Sequence, residues 1–503
     1  MSPATAAGIN SQGVDVIARI IRPEHCYLMP ILVKSGPSEQ EEGFEMALHK
    51  DEILNSLAAT ANVAQFVGFR PNGKGALTQS YSRVSGFDAN HQFSSARDAV
   101  DALLAHSSDK MVNVRSYEPS SPRSKEFVYG LKDVGEVLAV LERLAALELH
   151  LIVNETIDIH DGGVSGVIQG QVVEFAPDDT PRCVEKPGVA SLPVSIASQV
   201  LKTVYGFAPD FNFPDNARAE FSLHPKPRGY NQKHTILWEY EVTDAGFLPA
   251  AFSWPNNFSR HLGDKAFGLM IASALGMPGP KTTVIGRRTA PFTFGQETGS
   301  HEVWTRTSPT EPQPGLYTTV EGWHDPFMLL AKEDPEGSNI RSVLCQAAVR
   351  ARFSGAALAG PKDKVIVEGR RGEGDQFMLG LQLPETLPSF VLDAVQATYS
   401  ALSNRLGPVR FEWVHDGDIV WIVQLHCGAT STEADVIVPG EAAVWIEFNV
   451  AVGIERLRDL LGRLVEGQGI IIAGEIGLTS HIADLLRKAK YPARRKTIAQ
   501  PDD

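Results

Sequence analysis

Apolar residues recur at helical spacing in Asp133–Leu149, Asp264–Leu275 and Ile454–Val465. Shorter apolar runs bounded by Gly or charge predict strands at Val172–Phe175, Thr235–Glu239, Val365–Glu368, Ile419–Val423 and Ile470–Ala473. Strands interspersed with helices place the chain in the α/β (α+β) class. Stretches rich in Pro, Gly and Ser at Glu118–Ser124, Pro225–Gly229, Ser308–Gly315 and Cys427–Gly440 are expected to be linkers.

A long-period repeat underlies this pattern. NGKGAL around Lys74 answers GDKAFGL around Lys265, VRSYEP around Arg115 answers TRTSPTEP around Arg306, and VNETI around Glu155 answers LCQAAV around Gln346, all at an offset of 191. GGVSGVIQG answers RFSGAALAG, with Ser165 facing Ser354 in the alignment, and each leads to a strand ending in an acid, Glu174 or Glu368. RAEFSLHP answers RFEWVHDG, matching Glu220 to Glu412, and each precedes an apolar strand with a second polar residue, Glu239 or Gln424. These ordered matches with little drift predict two tandem copies of one module, over 1–250 and 251–428, followed by a smaller domain over 429–503.

Each copy thus carries Lys, Arg, a strand-end carboxylate or amide, an SG turn and a late acidic pair. Lys and Arg suit phosphate oxygens, and paired carboxylate or amide oxygens suit Mg²⁺. The inventory fits a nucleoside triphosphate with its metal. Singly, each residue is equally at home as a solvated cation or a strand cap; the order and spacing favour a site.

The second copy resembles the ATP-grasp-like nucleotide-binding domain of phosphoenolpyruvate synthase, pyruvate phosphate dikinase and related dikinases. The stretches carrying the resemblance are GDKAFGLMIASALGMPGP, VWTRTSPTEPQPGLYTTVEG, LCQAAVRARFSGAALAGPKDKVIVEGRRGEGDQFMLG and, most specifically, FEWVHDGDIVWIVQ. The resemblance implies phosphate contacts from Lys265 and Arg306, an adenine pocket near Gln346, a nucleotide contact from Glu368, and Mg²⁺ ligands at Glu412 and Gln424. GEIGLTSHIADLLRKAKYPAR resembles the phosphohistidine motif of the same enzymes, which implies a swivelling-type α/β domain with His481 as phosphoryl carrier beside Thr479 and Ser480.

Two departures matter: His426 stands where the family has Arg, and the Lys265–Arg306 spacing is short. The residues after Gln424 are expected to hold a compact domain and no phosphoenolpyruvate/pyruvate barrel, which needs roughly 250 residues.

The first copy resembles the family less, yet Lys74, Arg115 and Glu155 are its candidate nucleotide contacts and Glu220 with Glu239 its candidate metal pair. It is a second nucleotide site, a degenerate copy or an acceptor-binding domain. Lys226, Arg228, Lys233 and His234 gather in one segment, a basic anion pocket or a solvated hairpin tip.

With 46 Lys+Arg against 60 Asp+Glu and a net charge of −14, the chain is not expected to bind nucleic acid or anionic lipid. No apolar run spans a membrane, and the N-terminal residues lack the pattern of a secretory signal. Cys26, Cys183, Cys345 and Cys427 are scattered, so neither a zinc site nor a disulfide framework is expected. A cytoplasmic setting is expected; self-association stays open. The leading expectation is a dikinase-type phosphotransferase using ATP and Mg²⁺ and acting on an unidentified acceptor. The alternatives are an ATP-grasp carboxylate–amine ligase working through an acyl phosphate, and a non-catalytic nucleotide sensor or scaffold.

Overall fold

The computed structural model describes residues 53–496 apart from 74–75, 119–123, 208, 243–249, 251, 253, 312, 314–315, 362–363 and 429–435. Cys26 and Lys74 lie outside the described residues.

The chain folds as mixed α/β, α+β in class. Strands β1 (Phe66–Pro71), β2 (Leu77–Arg83), β3 (Val112–Tyr117), β4 (Ser124–Leu131) and β5 (His150–Glu155) form an antiparallel sheet in the order β2-β1-β5-β3-β4. Helices Ala96–His106 and Val134–Ala145 start where Ser95 and Asp133 accept backbone N–H bonds from Asp98 and Glu136. They bury Val100, Leu103, Val137, Leu141 and Leu144 against the sheet in one apolar cluster. Strands β6 (Val164–Gln169), β7 (Val172–Pro177), β8 (Ala190–Pro193), β9 (Ala217–Arg228) and β10 (Lys233–Val242) form a second sheet in the order β10-β9-β6-β7-β8, with helix Val194–Tyr205 between β8 and β9.

The same two sheets then recur. Strands β11 (Thr282–Gly286), β12 (Phe292–Phe294), β13 (Val303–Pro309), β14 (Thr319–Glu321) and β15 (Ile340–Ala347) pair in the order β12-β11-β15-β13-β14, the order of the first sheet. Strands β16 (Phe353–Ala359), β17 (Val365–Arg371), β18 (Val409–His415) and β19 (Val420–Cys427) pair as β17-β16-β18-β19, which is the second sheet without its β8 edge. Helix Ser389–Leu406 precedes β18 as Val194–Tyr205 precedes β9. The chain therefore holds two tandem copies of one two-sheet module.

Strand register tests the repeat residue by residue. Val167 lies between Glu174 and Glu220 across β6, and Ala356 lies between Glu368 and Glu412 across β16. The glycine before each, Gly166 or Gly355, leaves room for a carbonyl: a Cβ there would stand 2.0 Å from the oxygen of Glu174 or Glu368. The SG turns are thus strand residues packed too closely for a side chain. Of the anchors, Lys74 lies outside the described residues, whereas Lys265 is on helix Asp264–Ala274. Glu155 is one residue out of register: opposite Arg115 and Arg306 stand Ile152 and Leu344, which makes Asn154 the counterpart of Gln346. A one-residue slip reverses the face, and Glu155 is fully buried, accepting hydrogen bonds from the backbone N–H and side-chain amide of Gln65.

The third unit is an α/β layer with β20 (Val436–Val438), β21 (Val444–Asn449), β22 (Gln468–Ala473) and β23 (Ala493–Arg495) in the order β20-β23-β22-β21. Strands β21, β22 and β23 run parallel, and helices Ile454–Leu461 and His481–Ala489 make the crossovers. The two modules share a continuous core in which the Phe175 and Phe258 rings sit 5.0 Å apart.

The expected linker at Pro225–Gly229 is instead the end of β9. Only β10 pairs there, so the prolines sit where no second ladder needs their N–H. Beside it, Asp161, His224 and Ser222 form a chain of contacts of 2.9 Å each. Ser222 is 2% exposed and accepts the Trp238 indole N–H, which makes the chain a buried brace rather than a nucleophile. Arg228 pairs with Asp109 and Asp161, and the His234 ring contacts the His224 carbonyl, so the basic segment is not a free anion pocket. Among the described residues no helix is long and apolar enough to cross a membrane.

Burial pushes Glu155 up to about 7, although its bonds to Gln65 pull the other way. The unfolded chain ionises this carboxyl near 4.5, so the folded state loses stability as pH rises from there to about 7, by about 3 kcal/mol. Melting curves of wild type and Glu155→Gln should therefore diverge between pH 4.5 and 8, wild type falling relative to the variant. A constant gap would contradict this.

Candidate functional site

The site grows from one pair of strands. Arg410 and Glu412 alternate onto one face of β18, and their partners across the ladder are His426 and Gln424 on β19. A β-bulge at Val423 shifts the register between Glu412 and Trp413. The first module has the same device: Arg218 faces Glu241, Glu220 faces Glu239, and a bulge at Trp238 precedes Glu239.

Above β19 lies helix Asp264–Ala274. Gly263, at φ 97°, starts it in a cramped spot where a Cβ would meet Ser308 Oγ at 2.4 Å, and Gly268 presses against the Leu425 carbonyl. This close approach brings the first turn, with Asp264 and Lys265, over Gln424 and His426. Asp264 is 1% exposed; its Oδ1 accepts the Trp254 indole N–H and its Oδ2 lies 2.9 Å from His426 Nδ1. His426 Nε2 lies 2.6 Å from the Gln424 amide nitrogen. His426 thus ties Gln424 to the helix.

From the other sheet, Arg306 on β13 donates to the Val423 carbonyl at the bulge at 3.1 Å, leaving its buried Nε without a partner among the described residues. Glu412 Oε1 is also buried without a hydrogen-bond partner, 3.9 Å from Arg410. A cavity of about 670 Å³ opens between the two sheets, lined by Arg306, Gln346, Ser354, Gly355, Asp375 and Glu412 among others. That size suits a small-molecule ligand.

His481 is the first residue of its helix, with Ser480 as N-cap. The third unit packs so that this helix start meets the Glu412 cluster. Arg410 donates to the Thr479 carbonyl at 3.0 Å and pairs with Asp484 at 2.7 Å. Among the described residues His481 Nδ1 is buried without a hydrogen-bond partner. Burial lowers the His481 pKa, with Arg410 and Lys265 pushing the same way and Glu412 and Asp484 opposing, so the ring is neutral at pH 7. For Glu412, burial favours the acid, but His481, Arg410, Arg306 and His426 together hold it below the usual carboxylate range.

Lys265 is pushed down to about 8, chiefly by burial and then by Arg306, against the pull of Glu412, Asp264 and Glu333. It forms no hydrogen bond or ion pair among the described residues. Lys265, Arg306, Glu412, Gln424 and His481 thus converge, and Gln346 lies on the cavity wall, 1% exposed and bonded to Thr282 at 3.3 Å. Glu368 departs from its implied nucleotide contact: its carboxylate accepts the backbone N–H groups of Leu478 and Thr479 and the Thr479 hydroxyl. Glu155, buried in the core of the first module, is not a cofactor contact.

The first module's pair is closed on itself. Arg115 donates to Glu239 at 3.1 Å and to Ser124, and Arg218 donates to Glu220 at 2.9 Å. Burial, with Glu239 next, raises the Glu220 pKa, so this pair holds charge less readily than its counterpart. Cations that could face phosphate are occupied by the carboxylates that could face a metal.

Glu412 and Gln424 offer Mg²⁺ a carboxylate and an amide oxygen, and the unpartnered Glu412 Oε1 fits a cation. Mg²⁺ characteristically takes one or two protein ligands and completes its shell with phosphate and water.

No family model and no curated protein matches the chain. Among solved structures, a D-alanine–D-alanine ligase from Helicobacter pylori is similar over 32% of this chain and 54% of its own, at 10% identity and a TM-score of 0.22. The chain spans about half the length of that structure, and a likeness this slight carries no argument.

Three site residues escaped the sequence reading. Arg410 stands two residues before Glu412, so strand alternation alone places it on the same face. Asp264 adjoins Lys265 inside a quoted motif. Asp375 left no such signal; it begins a single helical turn whose position on the cavity wall comes from packing.

A lysine near 8 is mostly charged at pH 7 and mostly neutral at pH 9. Affinity for a phosphate-bearing ligand such as Mg-ADP, measured by calorimetry, should fall about tenfold between these values. Lys265→Met should bind weakly and without that slope; a flat wild-type profile would contradict the assignment.

Proposed function

We propose that the protein is an ATP-dependent phosphotransferase in which the second, ATP-grasp-like module binds Mg-ATP and His481 accepts the phosphoryl group for delivery to a separate acceptor. The observation that carries this reading is the docking of a neutral, helix-starting histidine against Glu412, a residue of the cavity wall, with Arg410 and Lys265 acting on the same histidine.

Lys265 and Arg306 would hold phosphate oxygens, and Glu412 with Gln424 would hold Mg²⁺, which supplies charge neutralisation along the phosphates. The unprotonated ring nitrogen of His481 forms the N–P bond as the bond from phosphorus to the bridging oxygen breaks, and ADP leaves with that electron pair. Arg306, a buried cation on the cavity wall, favours the charge that develops during transfer. Backbone N–H groups at the start of helix His481–Ala489 suit a phosphate on residue 481. A unit of few residues carrying the histidine could then move to an acceptor site. The acceptor is expected to be a small molecule or a macromolecule held elsewhere, the first module being one candidate.

An ATP-grasp carboxylate–amine ligase would share the nucleotide half of this site and use an acyl phosphate instead. It differs in needing both co-substrates before ADP appears and in leaving His481→Ala active.

Intact mass spectrometry after incubation with Mg-ATP should show one acid-labile phosphate on wild type and none on His481→Ala. Wild type that takes no phosphate, but releases ADP when a carboxylate and an amine are supplied, would replace this reading with the ligase. Because Arg115 and Arg218 are engaged by Glu239 and Glu220, calorimetry should find one Mg-ADP per chain. Two equivalent sites would refute the closed state of the first module.

A further inference from the structure

The seam between the second module and the third unit is built more specifically than a chance contact. Glu368 sits on β17, outside the Lys265–Glu412 cluster, and its two oxygens accept three hydrogen bonds from one short loop: Leu478 N at 3.0 Å, Thr479 N at 2.8 Å and Thr479 Oγ1 at 2.8 Å. That loop immediately precedes His481. Gly477 passes so close that a Cβ there would stand 2.9 Å from both Glu368 Oε2 and the Phe377 ring. On the opposite side Gly380, at φ 77°, lies under Ile482, where a Cβ would meet the Ile482 side chain at 2.8 Å. Arg410 closes the other end through the Thr479 carbonyl and Asp484.

Within the third unit the loop is already stiff. Arg487 donates to the Leu478 carbonyl at 2.7 Å, Ser480 Oγ donates to the Gly477 carbonyl at 2.7 Å, and Arg495 donates to the Ile476 carbonyl at 2.6 Å. The loop therefore docks as a preformed knob, with outward-facing N–H groups for a carboxylate to seize.

We propose that Glu368 is a positioning residue, a latch that holds the Gly477–His481 loop against the second module and so sets His481 against Glu412 of the cavity wall, rather than a nucleotide contact. This rests on the reading of His481 as the carrier. Hydrogen bonds donated by backbone N–H groups to a carboxylate are charge-assisted and stronger than neutral ones, and all three bonds to Glu368 are lost when its side chain is truncated to Ala. The latch touches only the peptide backbone and one hydroxyl, so its loss leaves the Lys265, Arg306 and Glu412 side chains in place.

The test uses the full chain and three readouts on wild type, Glu368→Ala and Glu368→Gln. Hydrogen–deuterium exchange should show the Leu478 and Thr479 amides protected in wild type, at least tenfold less protected in Glu368→Ala, and intermediate in Glu368→Gln, which keeps one acceptor oxygen. Protection of Leu485 and Leu486 inside the following helix should not change, which separates undocking from unfolding. Mg-ADP affinity by calorimetry should stay within about twofold of wild type, while single-turnover phosphorylation from Mg-ATP should slow at least tenfold. Unchanged loop exchange in Glu368→Ala would overturn the latch, as would a loss of Mg-ADP affinity matching the loss of phosphorylation, the behaviour of a nucleotide contact. If the exchange and affinity results hold but wild type never acquires phosphate, the latch stands and the carrier reading falls.

Discussion

A carboxylate buried between two sheets cannot stand alone: desolvating it costs far more than a fold of ordinary stability can absorb unless cations and hydrogen-bond donors surround it. Glu412 sets that requirement here. Arg410 answers it from the same strand, Arg306 from the facing sheet, Lys265 from the helix above and His481 from the third unit. Elements far apart in the chain thus converge on one carboxylate, three of them bringing a cation and the third unit a neutral histidine. Among the described residues, Arg306 Nε, Glu412 Oε1 and His481 Nδ1 are buried without hydrogen-bond partners. Groups of this kind are costly in a finished core and useful in a site that waits for a polyanion and its cation.

Duplication supplies an internal comparison. Both modules place Arg and Glu on one strand, face them with two polar residues on the next, and aim the set with a bulge. The difference is chemical. The first module opposes its one in-square arginine with Glu220, Glu239 and Glu241, and its cations fold onto those acids. Gln424 and His426 in the second module carry less negative charge, so Arg306 stays turned to the bulge carbonyl and the cleft remains open. The two frames differ here at two positions, Glu239 against Gln424 and Glu241 against His426.

Much of this was legible in the sequence because sheets impose strict rules. The anchors Ser165/Ser354, Glu174/Glu368, Glu220/Glu412 and Glu239/Gln424 occupy matching ladder positions. Spacing alone does not fix register: an offset of 191 lands on Glu155, one residue out of step with Gln346 and on the core face. The role of Glu368 left no trace at all, because its chief partners are backbone N–H groups, which almost any residue at 478 and 479 would supply. Docking between units is written in packing and in the glycines that permit close approach, not in a motif.

The central claim is that nucleotide and histidine meet at one site and exchange a phosphoryl group there. Isotope exchange tests it most directly: labelled ADP incubated with unlabelled ATP, Mg²⁺ and the full chain, with no acceptor present. The account predicts that label passes into ATP with wild type and fails to do so with His481→Ala. Absence of exchange in wild type that binds Mg-ADP normally would contradict it.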